Sequence, residues 1–163
     1  MQYLHTFDDI ASGDGTTPTW KTVAGIIVPD TANLRVRLDY LDVWPRDAPS
    51  NINCLVRLVR SLDVSVDGAG TAGTTVAAAN ISKADPDAQD SIASVKENYS
   101  SEPGFASTEP LWLGVFNDGG GIIKRWFDSG RPMATRDMAL YIQFTRVGAG
   151  TMDVSGAFGF SVV

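Results

Sequence analysis

Apolar and polar side chains alternate with period two through most of this chain, which leaves the extended strand as the regular structure able to bury one face and wet the other. Met138, Leu140, Ile142 and Phe144 share a face without interruption. Met152, Val154, Phe158, Phe160 and Val162 do the same, with small Ser155, Ala157 and Ser161 between them. Leu34-Arg35-Val36-Arg37-Leu38-Asp39-Tyr40 alternates too, but Leu41 and Val43 then fall out of phase with Leu38 and Tyr40. One inserted residue swaps the faces of a strand, so the flip predicts a β-bulge near Tyr40. Beyond the prolines Pro45 and Pro49, Cys54, Val56, Leu58 and Leu62 resume one face, with Arg57 opposite and Arg60 as an exception. Less regular strands are expected over 2–7, 22–28, 111–116 and 122–127. The last two are joined by Asn117-Asp118-Gly119-Gly120-Gly121, whose glycines supply the positive φ of a hairpin loop.

Helix signals are nearly absent. Asp85-Pro86 has the form of an N-cap followed by proline at the first helical position, with Ile92 and Val95 spaced i, i+3. Against it, Ser91-Ile92-Ala93-Ser94-Val95 is rich in serine and β-branched residues, which favour extended chain, and strand is the reading adopted. Eight or so short strands with no helix to cover a sheet give an all-β fold: a two-layer antiparallel sandwich, with a jelly roll expected first and an immunoglobulin-like sandwich second. Cys54 is the only cysteine, so the Cys…Trp…Cys signature of true immunoglobulin domains, an intrachain disulfide and a thiolate zinc cluster are all ruled out. The 163 residues fit a single sandwich over 21–163, preceded by a strand or arm with a Gly-rich hinge over 1–20.

The net charge of −6, with 13 scattered basic residues, opposes binding to nucleic acid, whose affinity comes from clustered Lys and Arg. The first residues, MQYLHTFDDI, have neither the basic nor the apolar region of a signal peptide, and no apolar run reaches the roughly 20 residues that span a bilayer. The expectation is a soluble protein made in the cytoplasm, with no membrane partner.

Catalytic chemistry is sparse. His5 is the sole histidine, and no G-x-S-x-G elbow accompanies it, so it reads as an ordinary strand residue and the chain as a non-enzyme. Asp85, Asp87 and Asp90 lack the spacing of a calcium loop and read as a solvated acidic turn, so neither metal nor other cofactor is expected. Trp112 and Trp126, flanked by apolar residues, are expected in the core. Trp20 and Trp44, near prolines, are candidates for exposure and for stacking on a sugar or packing on a partner.

The order of these features resembles the small jelly-roll decoration (cement) proteins on the heads of tailed bacteriophages. The resemblance runs through LRVRLDYLDV and CLVRLVRSLDV, a Gly/Ala/Thr segment, ISKADPDAQDSIASV, MALYIQFTRV and the closing MDVSGAFGFSV, departing in a longer connection over 99–110. It implies a virion structural protein on the capsid surface that self-associates, commonly as a trimer, and binds between major capsid proteins. The alternative, from a different class, is a carbohydrate-binding β-sandwich module of a phage tail or fibre protein. In the capsid reading, GAGTAGTTVAAAN at 68–80 forms a mobile loop over 68–73. Residues 74–80, with Thr74, Thr75 and Val76, then form an edge strand or extended segment lying against a neighbouring subunit. Tyr3, Leu4 and Phe7 are apolar anchors by which residues 2–7 dock as a strand, on the chain's own sheet or a neighbour's, beyond a hinge formed by Ser12-Gly13-Asp14-Gly15-Thr16-Thr17-Pro18.

Overall fold

The computed structural model describes residues 2–11, 19–31, 33–46, 52–67, 73–77, 80–85, 93–104, 108–117 and 119–163. Twelve strands are defined among them: β1 Gln2–Ala11, β2 Lys21–Val28, β3 Val36–Pro45, β4 Asn53–Ser61, β5 Thr74–Thr75, β6 Ser82–Lys83, β7 Ser94–Glu97, β8 Thr108–Asn117, β9 Ile122–Arg125, β10 Met133–Ala134, β11 Met138–Arg146 and β12 Asp153–Val162. One helical turn, Val64–Asp67, and a 3-10 turn, Asp128–Gly130, interrupt them. The strands form two antiparallel sheets. Sheet A has the order β10-β3-β12-β1-β6, with β9 also on β3, and sheet B the order β5-β7-β2-β11-β4-β8.

Pairing explains the wrap. β1 pairs with β12, β2 with β11, β3 with β9 and β4 with β8, so eight strands form one long antiparallel ribbon. Rolled up, that ribbon puts β1, β12, β3 and β9 in sheet A and β2, β11, β4 and β8 in sheet B, which is jelly-roll order. The alternation dictates which faces meet. Phe158 and Phe160 of β12, Leu38, Leu41 and Val43 of β3, and Ile142 and Phe144 of β11 are all buried between the sheets. Phe7 approaches Phe144 across the layers, with ring centroids 6.4 Å apart. The expected bulge is present: Tyr40 lies opposite Gly159 and Leu38 opposite Phe160, leaving Asp39 as the extra residue.

The structure extends or alters the sequence expectations at β1, Leu62 and β9. β1 docks on the chain's own sheet, one of the two positions expected for it, as an interior strand of sheet A between β12 and β6; Tyr3, His5 and Phe7 alternate into the core, and Ile10 joins them past a register shift. The hinge residues 12–18 lie outside the described residues. Leu62 lies one residue past β4 and is exposed rather than sharing its buried face. β9 stops at Arg125, and the edge of β3 is continued by β10 after the turn at Asp128, whose φ is 51°. The helix reading at 85–92 falls largely outside the described residues, while Ser94 and Val95 are in strand β7.

The outer face of sheet B is covered as well, so β2 is buried along almost its whole length and does not alternate in sequence. The connection after β7 provides the cover. Tyr99 packs edge-on against Tyr141 at 6.1 Å, and Glu102 accepts hydrogen bonds from the Thr22 backbone N–H at 2.8 and 3.0 Å. Gln143 Nε2 donates to Thr22 Oγ1 (2.7 Å), and Arg57 Nε donates to Gln143 Oε1 (2.7 Å), extending the network across the sheet from β2 through β11 to β4. The longer connection over 99–110, the departure noted from sequence, is thus tied down over its first residues.

Candidate functional site

Tyr3 and Phe7 are 4% and 2% exposed, and Tyr3 stacks on Phe160 with centroids 5.2 Å apart. Their apolar area is committed to the chain's own core, which removes them as surface anchors for a partner. Leu4, between them, points to the opposite face and is half-buried. Thr74 and Thr75 form the exposed edge strand β5, at the far edge of sheet B from β8, while Val76 is buried and its N–H donates to the Val95 carbonyl at 2.9 Å. An edge strand is therefore present at 74–75, whereas 68–72 and 78–79 lie outside the described residues.

Trp20 and Trp44 do not form one platform. Trp20 lies beside sheet B, with the Arg57 guanidinium 4.2 Å from its ring centroid, and Trp44 is 41% exposed on the outer face of sheet A opposite Ser155. Burial lowers the Arg57 pKa from its usual value, an effect that the Glu102 carboxylate opposes. Trp112 and Trp126 meet edge to face at 5.7 Å and pack on the core where β8 and β9 close the sandwich. His5 is buried, with Nε2 3.0 Å from Glu97 Oε2, and bridges sheet A to β7 of sheet B. Its edge-on contact with Phe158 fixes it as a packed strand residue. Asp85 is exposed, Asp87 and Asp90 are outside the described residues, and no group of three or more metal-ligating side chains occurs among those described. Among the same residues no helix is long and apolar enough to cross a membrane.

Two surfaces stand out. The first is the flank at β8, the edge of sheet B, which pairs with β4 alone among the described strands. Edge strands are ordinarily blunted by proline, bulges or charge. Pro110 and the bulge at Leu111, between the Pro110–Val59 and Trp112–Leu58 pairs, serve that end of β8. The other end lacks such guards: Leu113 is 60% and Val115 57% exposed, and both lie on the outer face beside Leu55 and Arg57 of β4. Inward, Trp112 folds over Gly114, where an added Cβ would meet the indole at 2.5 Å.

The second surface is a groove of about 430 Å³ crossing the outer face of sheet A. Phe158 and Phe160 point into the core, so Gly159 between them faces outward and forms the floor. The Tyr40 ring rests over it, within 2.3 Å of where a Cβ would stand. The Arg125 guanidinium sits 5.6 Å from the Tyr40 centroid, and Phe127 beside it is 71% exposed. Arg131 Nη1 donates to Asp39 Oδ1 at 2.7 Å, and Ser161 Oγ donates to the same oxygen at 3.3 Å. Ser82 and Lys83 of β6 form the opposite wall. Burial raises the Tyr40 phenol pKa above its ordinary value, against the pull of Arg125 and with the help of the Asp42 and Asp39 carboxylates.

Neither surface carries a sequence motif. The groove is assembled from β1, β3, β6, β9, β12 and the turn before β10, and the β8 flank reads in sequence as LWLGVF, apolar on both faces. The alternation of exposed Leu113 and Val115 with inward Trp112, Gly114 and Phe116 was available in the sequence, but the edge position of β8 was not. Comparison with protein-family models and with curated proteins gave no match.

Proposed function

We propose that this protein is a virion structural component that decorates a tailed-bacteriophage capsid, associating with copies of itself and binding between major capsid proteins. The observation that carries the association is the β8 flank, a ten-residue edge strand with two large exposed apolar side chains. Its occupant is a second copy of the chain. A rotation axis brings a patch close to its own image, so the patch must be free of like charge. The outward residues of β8 itself, Leu113, Val115 and Asn117, are uncharged, and the neighbouring Arg57 is engaged by the Trp20 ring and Gln143. A trimer places three such flanks around one axis. Capsid placement is supported by the layout shared with decoration proteins and by the compact jelly roll, and the negative charge opposes unproductive binding to packaged DNA.

Sedimentation of the intact protein at micromolar concentration tests the association. The expected species is larger than a monomer, and Leu113→Lys with Val115→Lys should yield folded monomer, since both positions are exposed. A clean monomer at every concentration, or a double variant that assembles like the parent, would contradict the proposal.

A further inference from the structure

We infer that the groove over Gly159 is a binding site for an acidic sugar, recognised through an aromatic face, a carboxylate–guanidinium pair and an excess of positive charge. It is separate from the β8 flank and does not rest on the capsid reading. Size comes first: about 430 Å³ falls in the range of small-ligand sites. Charge comes second. Three cations, Lys83, Arg125 and Arg131, line the groove with one carboxylate, Asp39, on a chain whose net charge is −6. A local positive site on an acidic protein selects an anion.

The donor set narrows the class. Asp39 accepts from Arg131 and Ser161, and as a carboxylate it keeps further acceptor sites for a ligand hydroxyl. Beside it Arg131, whose Nη1 is on Asp39, and the exposed Arg125 bring N–H donors to the groove. Adjacent acceptor and donor suit vicinal hydroxyls, which both give and receive hydrogen bonds. Tyr40 and Phe127 offer apolar faces for the C–H surface of a sugar ring. Arg125, exposed and held by the Tyr40 ring as its one described contact, is placed to take the ligand's carboxylate. An acidic peptide would use the cations but lacks the vicinal hydroxyls that can donate to Asp39.

The test is calorimetric titration of the full chain with three probes: a β-1,4-linked glucuronic acid tetrasaccharide, the matching neutral glucose tetrasaccharide, and adenosine monophosphate. The uronate should bind saturably, at least tenfold more tightly than the neutral sugar or the nucleotide. Arg125→Ala and Tyr40→Ala should each weaken it about tenfold or more, with sedimentation unchanged and, for the exposed Arg125, the melting temperature unchanged as well. Absence of saturable uronate binding, equal affinity for the neutral sugar, tighter binding of the nucleotide, or full affinity in a folded Arg125→Ala variant would each overturn the assignment. Loss of oligomers in the β8 variants leaves these titrations unaffected, so the two readings fail separately.

Discussion

Removing residues 1–12 should abolish folding, although a Gly-rich stretch beyond an N-terminal strand suggests in sequence a dispensable arm. β1 sits between β12 and β6, and its loss opens both neighbours at once. Tyr3, Phe7 and Ile10 are nearly completely buried, and burial of a large apolar side chain is worth about 1.5–3 kcal/mol. The three together contribute on the order of 5–9 kcal/mol, before counting the ladder to β12 and the tie from His5 to Glu97. Whole-domain stability is typically about 5–15 kcal/mol, so the deletion removes most or all of it. The inner faces of Phe158 and Phe160 would also lose their cover, which favours aggregation. Thermal melting followed by far- and near-ultraviolet circular dichroism on a chain starting at Gly13 should show no cooperative transition. A truncated protein that melts cooperatively within a few degrees of the full chain would refute the reasoning and restore the arm.

Two further predictions follow from particular contacts. Gly156→Ala places a Cβ 2.4 Å from the Asp42 carbonyl oxygen and 2.6 Å from Phe7 Cζ, and the backbone atom cannot swing away. Overpacking of this kind costs about 1–3 kcal/mol, a fall of roughly 2–4 °C in Tm for each kcal/mol in a chain of this length, measurable by calorimetry; an unchanged Tm would contradict the packing. Burial, followed by the Glu102 carboxylate, raises the Tyr99 phenol pKa, so the native state keeps its proton at a pH where the unfolded chain has lost it. Stability from this group is complete below the ordinary tyrosine value of about 10 and is lost progressively above it. Urea unfolding of Tyr99→Phe should show a shallower loss above pH 10 than the parent, and equal slopes would sink this assignment.

The sequence made the architecture legible where one face of a strand is wet and the other dry. β11, β12 and the bulge at Asp39 follow directly from parity, and Trp112 and Trp126 pack where their apolar neighbours indicated. Parity failed at β2, because Tyr99 and Glu102 cover its second face from some 80 positions away. At β1 the alternation of Tyr3, His5 and Phe7 marks the strand, but parity does not say whether it pairs with the chain's own sheet or a neighbour's. Arg60 broke the pattern of β4 because it sits at the rim, donating to the Met133 carbonyl at 2.9 Å and pairing with Glu109, a tie visible only once the sheets are assembled. Surface sites were the least legible, since which strand becomes an edge and which glycine becomes a floor depend on the order of strands in the sheets.

The most direct measurement of the central claim is electron cryomicroscopy of phage heads prepared with and without this protein. The account predicts added density at the capsid's local symmetry axes, into which the jelly roll fits with its β8 flanks turned toward one another. Heads that look identical in the two preparations, or density elsewhere on the virion such as a tail or fibre, would contradict it.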